Sequence, residues 1–272
     1  MPGKTSSAVD SPQRDSVSAL ERGFAVLHCF GPGVHAVAHQ QIAKQTGLPK
    51  ATVSRITQTL VKLGYLDASN EDGRFRLTAK ALDLGYIYLS NIDIRSVAYP
   101  LMRELTQCAS ATVNLVVRSG DHMVVVETLR SENATVAIQS RIGFQFPILQ
   151  TAIGRAYLAG LTLERREEVV QSLRPTVPAH AWKTILQRVA QAVQEYEKRG
   201  YCALWGEWRA GVHSAATPIR DATRDELYVI NCAGPSPQLS KMNLQRNVGP
   251  RLVKIARQIE EITNVSWRQP DV

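Results

Sequence analysis

Residues 40–62, QQIAKQTGLPKATVSRITQTLVK, read as two short helices around a tight turn. Gly47 supplies the turn, and Pro49 suits the first turn of the second helix, where its fixed φ is pre-set and its missing N–H costs nothing. In that second helix Val53, Ile56, Leu60 and Leu63 recur at three- and four-residue steps, so they share one face fit to dock on a small core. The rest of its surface is small, basic or hydrogen-bonding: Lys50, Ala51, Thr52, Ser54, Arg55, Gln58 and Lys62. Such residues let a backbone approach base edges and match their donors and acceptors. The pattern is that of a helix-turn-helix whose partner is double-stranded DNA. An ordinary helical hairpin with a polar solvent face has the same spacing.

The segment after the helix pair favours the first reading. Residues 65–67 and 75–77 are short strand-like runs around the Gly-containing stretch 70–74, as in the wing of a winged helix-turn-helix. Arg74 and Arg76 stand within reach of phosphate, while the acidic Glu71 and Asp72 at the tip argue against deep insertion. Upstream, Val17, Leu20, Phe24 and Leu27 share the face of a first helix that Gly31, Pro32 and Gly33 end. Residues 1–15, rich in Ser, Pro and charge, are expected to form a disordered arm. A short helix over 81–89 completes a DNA-binding domain over 16–90.

The 272 residues, 44% hydrophobic, suffice for a core in each of two domains. A net charge of +8 favours a polyanionic partner, although a soluble basic protein needs no more than this. No apolar run approaches the ~20 residues of a membrane span, and the N-terminus lacks the apolar core of a secretion signal; a cytoplasmic protein is expected. Cys29, Cys108, Cys202 and Cys232 show no C-x-x-C spacing, and His35 and His39 lack a nearby carboxylate, so neither metal nor cofactor is expected. No nucleophile elbow, phosphate loop or H-E-x-x-H pair is present, and His213 and Ser214, adjacent on a strand, point to opposite faces. No catalytic residue is assigned, and the chain does not read as an enzyme.

A stripe of Ile94, Val97, Leu101 and Leu105 marks a linker helix over 91–109, which Pro100 is expected to bend or interrupt. The stripe suits a dimer contact or burial against its own domain. From Ala111 the period changes: ATVNLVVR, a turn at 119–122 and MVVVETL make a hairpin. Further strands are expected at 135–139, 201–205, 213–219 and 227–232. Helices are expected at 153–161, 163–173 and 182–199, and finally one with Val248, Leu252, Ile255, Ile259 and Ile262 on one face. Antiparallel strands interrupted by helices make an α+β sensor-like domain over 110–267, with a tail at 268–272.

With both halves read, the chain resembles the IclR family of bacterial transcriptional regulators from about residue 16 to 263. The resemblance is carried by SALERGFAVLHCF, by IAKQTGLPKATVSRITQTLVKLGYL and FRLTAKALDLG, and more specifically by FPILQTAIGRAYLAGL at 146–161, EWRAGVHSAATPIRD at 207–221 and the Gly234-Pro235 pair. It implies an N-terminal winged helix-turn-helix, a linker helix and a C-terminal GAF-like effector-binding domain with an antiparallel sheet. It also implies a homodimer or homotetramer, and a small organic acid or aromatic metabolite as effector. Carried over by position, the effector residues are Ala152 and Ile153 at a helix start, Leu204 and Ser214, and Asn231 and Ala233 on the penultimate strand. The helix beginning after Thr151 presents free N–H groups to a carboxylate, although Thr151 also serves as a plain N-cap. Leu204 stands where the small-acid pattern has Asp, and Ala233 where it has a hydroxyl, so the pocket is expected to be larger and less polar. With Phe146, Tyr201, Trp205 and Trp208 near in sequence, this leans toward an aromatic acid; plain core packing also accounts for those rings. Two recognition helices would then meet successive grooves of a near-palindromic operator, their spacing set through the Pro100 linker.

Overall fold

Val26, Val37, Ile42, Val53, Leu60 and Leu66 close into one small core, and the elements that carry them define the first of two units, which divide between Ser90 and Asn91. The computed structural model describes residues 18–68, 73–132 and 140–266. In the first unit α1 (Ser18–Leu27), β1 (Val37–Ala38), α2 (His39–Thr46) and α3 (Lys50–Lys62) precede β2 (Leu66–Ala68), β3 (Arg74–Leu77) and α4 (Leu82–Ser90). Gly47, at φ +69, ends α2, and Pro49 lies just outside α3 as its cap rather than in its first turn. The wing strands pair antiparallel, Leu66 opposite Leu77 and Ala68 opposite Phe75. β1 adds a third strand along β3, too short to show a period in sequence. The turn residues 69–72 lie outside the described residues.

Two expected faces are corrected here. In α1 it is Val26 that enters the core, while Leu20 and Phe24 are 61% and 43% exposed. In α3 the buried residues are Val53, Thr57 and Leu60; Ile56 is half-buried and Leu63 exposed. Thr57 fits the core because its hydroxyl donates to the Val53 carbonyl at 3.0 Å, which satisfies its polar atom within the helix.

In the second unit α5 (Asp93–Ala109) runs through Pro100 without interruption. Pro100 is exposed, so water can serve the helix carbonyl whose N–H partner the ring removes. The helix buries Ile94, Ala98, Met102 and Leu105 and leaves Val97 and Leu101 only half-buried, a stripe rotated from the expected one. A six-stranded antiparallel sheet follows, ordered β6-β5-β4-β9-β8-β7. Its strands are β4 (Thr112–Ser119), β5 (His122–Arg130), β6 (Gln145–Pro147), β7 (Cys202–Trp205), β8 (Val212–Asp221) and β9 (Glu226–Pro235). The strand expected at 135–139 lies outside the described residues, and β6 was not anticipated.

Successive strand residues face opposite sides of a sheet, and both sides are covered. Val116, Met123, Ala216 and Val229 join the core under α6 (Ala152–Gly160), α7 (Leu163–Ser172) and α8 (Trp182–Arg199). The alternate set, Val113, Leu115, Ile219 and Ile230, is equally buried. That side carries α5 and the C-terminal helices, α9 (Lys241–Asn243), a π-helical turn (Leu244–Val248) and α10 (Gly249–Ser266). In this last stretch Val248, Leu252, Ile255 and Ile259 are buried as expected, but Ile262 is 46% exposed. Among the described residues no helix is long and apolar enough to cross a membrane.

Candidate functional site

The strand register assembles one row of side chains across the sheet. Leu204 on β7 pairs with Ser214 on β8, Ser214 with Ala233 on β9, and Ala233 with Thr112 on β4. Two residues along β9, on the same face, Asn231 lies opposite Asn114. The first turn of α6 faces this row, so Ala152, Ile153, Leu204, Ser214, Asn231 and Ala233 line a single cavity. Both Asn231 and Ala233 belong to the last strand rather than the penultimate one.

The floor is a connected polar network. Asn114 Nδ2 donates to Asn231 Oδ1 at 2.9 Å, while the hydroxyls of Thr128 and Ser140 both donate to Asn114 Oδ1 at 2.7 Å. These donors fix the sense of both amides, so that each buried polar atom in the chain of bonds has a partner. None of its members carries a charge. At the helix start, Thr151 Oγ1 accepts the Gly154 N–H at 3.1 Å and the Arg155 N–H bonds the Thr151 carbonyl at 3.0 Å. The helix itself offers no partner to the N–H groups of Ala152 and Ile153, which carry its positive end toward the cavity.

The roof comes from β6 and from the turn after β7. Phe146 meets Trp208 edge-on, with ring centroids 5.4 Å apart, and Arg209 lies over the Trp208 ring at 5.8 Å. Trp208 and Arg209 belong to a loop bounded by Gly206 and Gly211 at φ +86 and +76, left-handed conformations at which a Cβ is strained. Glu207 ties this loop to α6, its Oε2 accepting from Arg155 Nη2 at 2.6 Å with the arginine side chain 10% exposed. The cavity encloses about 530 Å³ out to its mouth, open solvent included.

Of the aromatic residues noted in sequence, Phe146 and Trp208 line the cavity. Trp205 instead meets His213 edge-on at 5.3 Å, and Tyr201 packs its ring against Gly249. Sequence reading missed Thr112, Asn114, Ser140 and Arg209. Asn114 carried a usable signal, being a polar side chain inside the apolar run ATVNLVVR.

In the first unit, Ala51, Arg55, Gln58 and Lys62 are all exposed, on the side of α3 opposite Val53, Thr57 and Leu60. Lys50 is also exposed, Ser54 and Thr52 are half-buried toward the edges, and Arg74 is exposed at the start of β3. A helix with one apolar and one uncharged-to-basic side fits a major groove, its backbone close to the bases. Leu20, Phe24, Leu63 and Leu84 line an apolar groove on this unit, bordered by Arg55 and Thr52.

Comparison with known proteins agrees with both units. Residues 19–69 match the IclR helix-turn-helix domain and residues 86–261 the bacterial transcriptional regulator IclR C-terminal domain. The chain belongs to the IclR family of bacterial transcriptional regulators. It is 32% identical over 245 residues to the HTH-type transcriptional regulator TsaQ1/TsaQ2 of Comamonas testosteroni, covering 90% of this chain and 87% of that one. It is 26% identical over 248 residues to the Pca regulon regulatory protein of Pseudomonas putida, covering 90% and 84%. Among solved structures, an IclR family transcriptional regulator from Brucella abortus superposes with a TM-score of 0.83 at 37% identity, covering 94% of this chain and 96% of that one.

Proposed function

We propose that this chain is an effector-responsive regulator of a catabolic operon, binding a near-palindromic operator as a homodimer or homotetramer and sensing a small organic acid with an aromatic ring. In this reading residues 16–90 bind DNA, 91–109 link, and 110–267 hold the effector and oligomerise, between an arm at 1–15 and a tail at 268–272; the protein works in the cytoplasm and catalyses nothing. Lys50, Ala51, Thr52, Ser54, Arg55, Gln58, Lys62 and Arg74 are its DNA contacts. Ala152, Ile153, Leu204, Ser214, Asn231 and Ala233 are its effector contacts.

The observation that carries the reading is the convergence of those six residues, from separate elements, on one cavity with a neutral polar floor, an aromatic roof and a positive helix end. Such a mixture of apolar wall and few aimed polar groups is what small-molecule sites use. Oligomerisation is supported by α4, none of whose residues is buried, with Leu82 71%, Leu84 55%, Tyr86 73% and Ile87 57% exposed. A second copy that covers this face removes it from water. The effector acts by favouring one spacing of the paired recognition helices over another, through α5, which packs on β4 and β5 and whose Arg95 bonds Glu127 at 2.9 Å.

A second reading has one observation in its favour. The floor amides find their partners within the protein, which suits a DNA-binding oligomer whose C-terminal domain holds no ligand. A gel shift at fixed salt separates the two, using the gene's own upstream DNA against random duplex, with and without aromatic and aliphatic acids. A specific shift altered by one acid supports the proposal. A specific shift that no acid alters favours the second reading, and no preference over random DNA overturns both.

A further inference from the structure

The polar floor does not end at the cavity. Asn231 Oδ1 accepts from Asn114 Nδ2, and Asn114 Oδ1 accepts from the Thr128 hydroxyl. Neighbours on a strand face opposite sides of the sheet, so Thr128 stands on the cavity side of β5 and Glu127 on the side that carries α5. Thr128 joins the two sides through its own backbone, its N–H donating to Glu127 Oε1 at 3.0 Å. Glu127 Oε2 then accepts at 2.9 Å from Nη2 of Arg95, a residue in the first turn of α5. The Glu127 side chain is 13% exposed and that of Arg95 24%, so the pair is far less screened than an ion pair on the surface. The β4–β5 register also shifts between Leu115 and Val116, opposite Glu127 and Val125, a bulge that interrupts the ladder beside this bond.

We propose that Thr128, Glu127 and Arg95 are positioning residues that carry the state of the effector site to α5, so that occupancy of the floor sets how firmly the first turn of α5 is held on the sheet. The inference rests on the effector reading above and supplies the regulation of that same site. A ligand that displaces Asn231 moves the acceptor to which Asn114 donates. Asn114 Oδ1 in turn holds the hydroxyls of Thr128 and Ser140, so a turn of that buried amide withdraws the acceptor from both. Thr128 then shifts beside the bulge, and its N–H carries the shift to Glu127 and Arg95. α5 is the first element of the second unit and follows the helix-turn-helix unit directly in the chain. A separate bond, from Arg224 Nη2 in the β8–β9 turn to the Asn91 carbonyl, holds the same end of the helix.

Hydrogen exchange of the full chain, read at residues 94–99 of α5 and at α8 on the other side of the sheet, tests the relay without DNA or acid. Thr128→Val keeps the shape of the side chain and removes its donor. It should speed exchange at 94–99 about 2- to 10-fold, the factor one hydrogen bond carries, and leave α8 unchanged. Glu127→Gln should do the same. Because the two act in one chain of bonds, their double variant should be no faster than the faster single variant, whereas Thr128→Val with Arg224→Gln should multiply the two factors. At the far end, Asn231→Ala should speed exchange at 94–99 in the wild-type background and have no effect there in the Glu127→Gln background. Unchanged exchange at 94–99 in Thr128→Val overturns the proposal, as does an equal rise in α8, a multiplied Thr128–Glu127 double, or an Asn231→Ala effect that survives Glu127→Gln. The gel shift judges the effector reading separately: exchange results as expected, with an operator shift that no acid alters, would sink that reading and leave the relay.

Discussion

At Gly154 the start of α6 runs so close to the preceding backbone that a Cβ would stand 1.8 Å from the Ile148 carbonyl oxygen. Backbone cannot swing aside as a long side chain can, so Gly154→Ala is expected to cost about 1–3 kcal/mol or more, read as a lowered urea midpoint; an unchanged midpoint would show that this approach is not tight. Two buried thiols make a second prediction. Burial pushes Cys202 and Cys232 from the usual 9.0 up to about 12. The folded chain therefore holds these protons where the unfolded chain has lost them, so stability is full below pH 9 and falls as pH rises from 9 toward 12. Thermal melts across that range should show the decline, and Cys232→Ala should flatten it; a slope indifferent to the substitution would contradict the assignment. On the DNA side, Arg55→Ala is expected to cost about 1–3 kcal/mol on the specific site while sparing random duplex, and equal losses on both would remove Arg55 from base reading.

The helices and strands differ in how much of themselves they declare in sequence. Trp182–Arg199 forms α8 over the expected span, because a long amphipathic period with a Gly200 cap leaves little freedom. The outer side of α3 was equally legible, since Ala51, Arg55, Gln58 and Lys62 recur at helical steps. α1 shows the limit: periodicity grouped Leu20 with Phe24 but could not say what covers them, and among the described residues both stay exposed. β1 and β6 are two and three residues long and hold their places by pairing with distant strands, so no local pattern announces them. The cavity was legible where residue types carried family positions, and illegible at Ser140 and Arg209, which arrive there through loops. α4 supports a prediction of its own. With its apolar side uncovered, Leu84→Glu together with Ile87→Glu should leave circular dichroism unchanged and shift sedimentation to a smaller species; an unaltered oligomer would exclude this face as the interface.

For the molecule as a whole, the net charge of +8 and the regulator fold put two binding equilibria on one chain. Operator affinity should fall steeply with salt, the logarithmic slope close to 0.9 per phosphate neutralised. If the acid selects one arrangement of the recognition helices, the two ligands are thermodynamically coupled, and each must alter the affinity of the other by the same factor. The most direct measurement is operator affinity by fluorescence anisotropy with and without saturating acid, paired with acid affinity with and without saturating operator, at one salt concentration. The account predicts equal factors in the two directions, of about 5- to 150-fold. An acid that occupies the cavity and leaves operator affinity unmoved would contradict it.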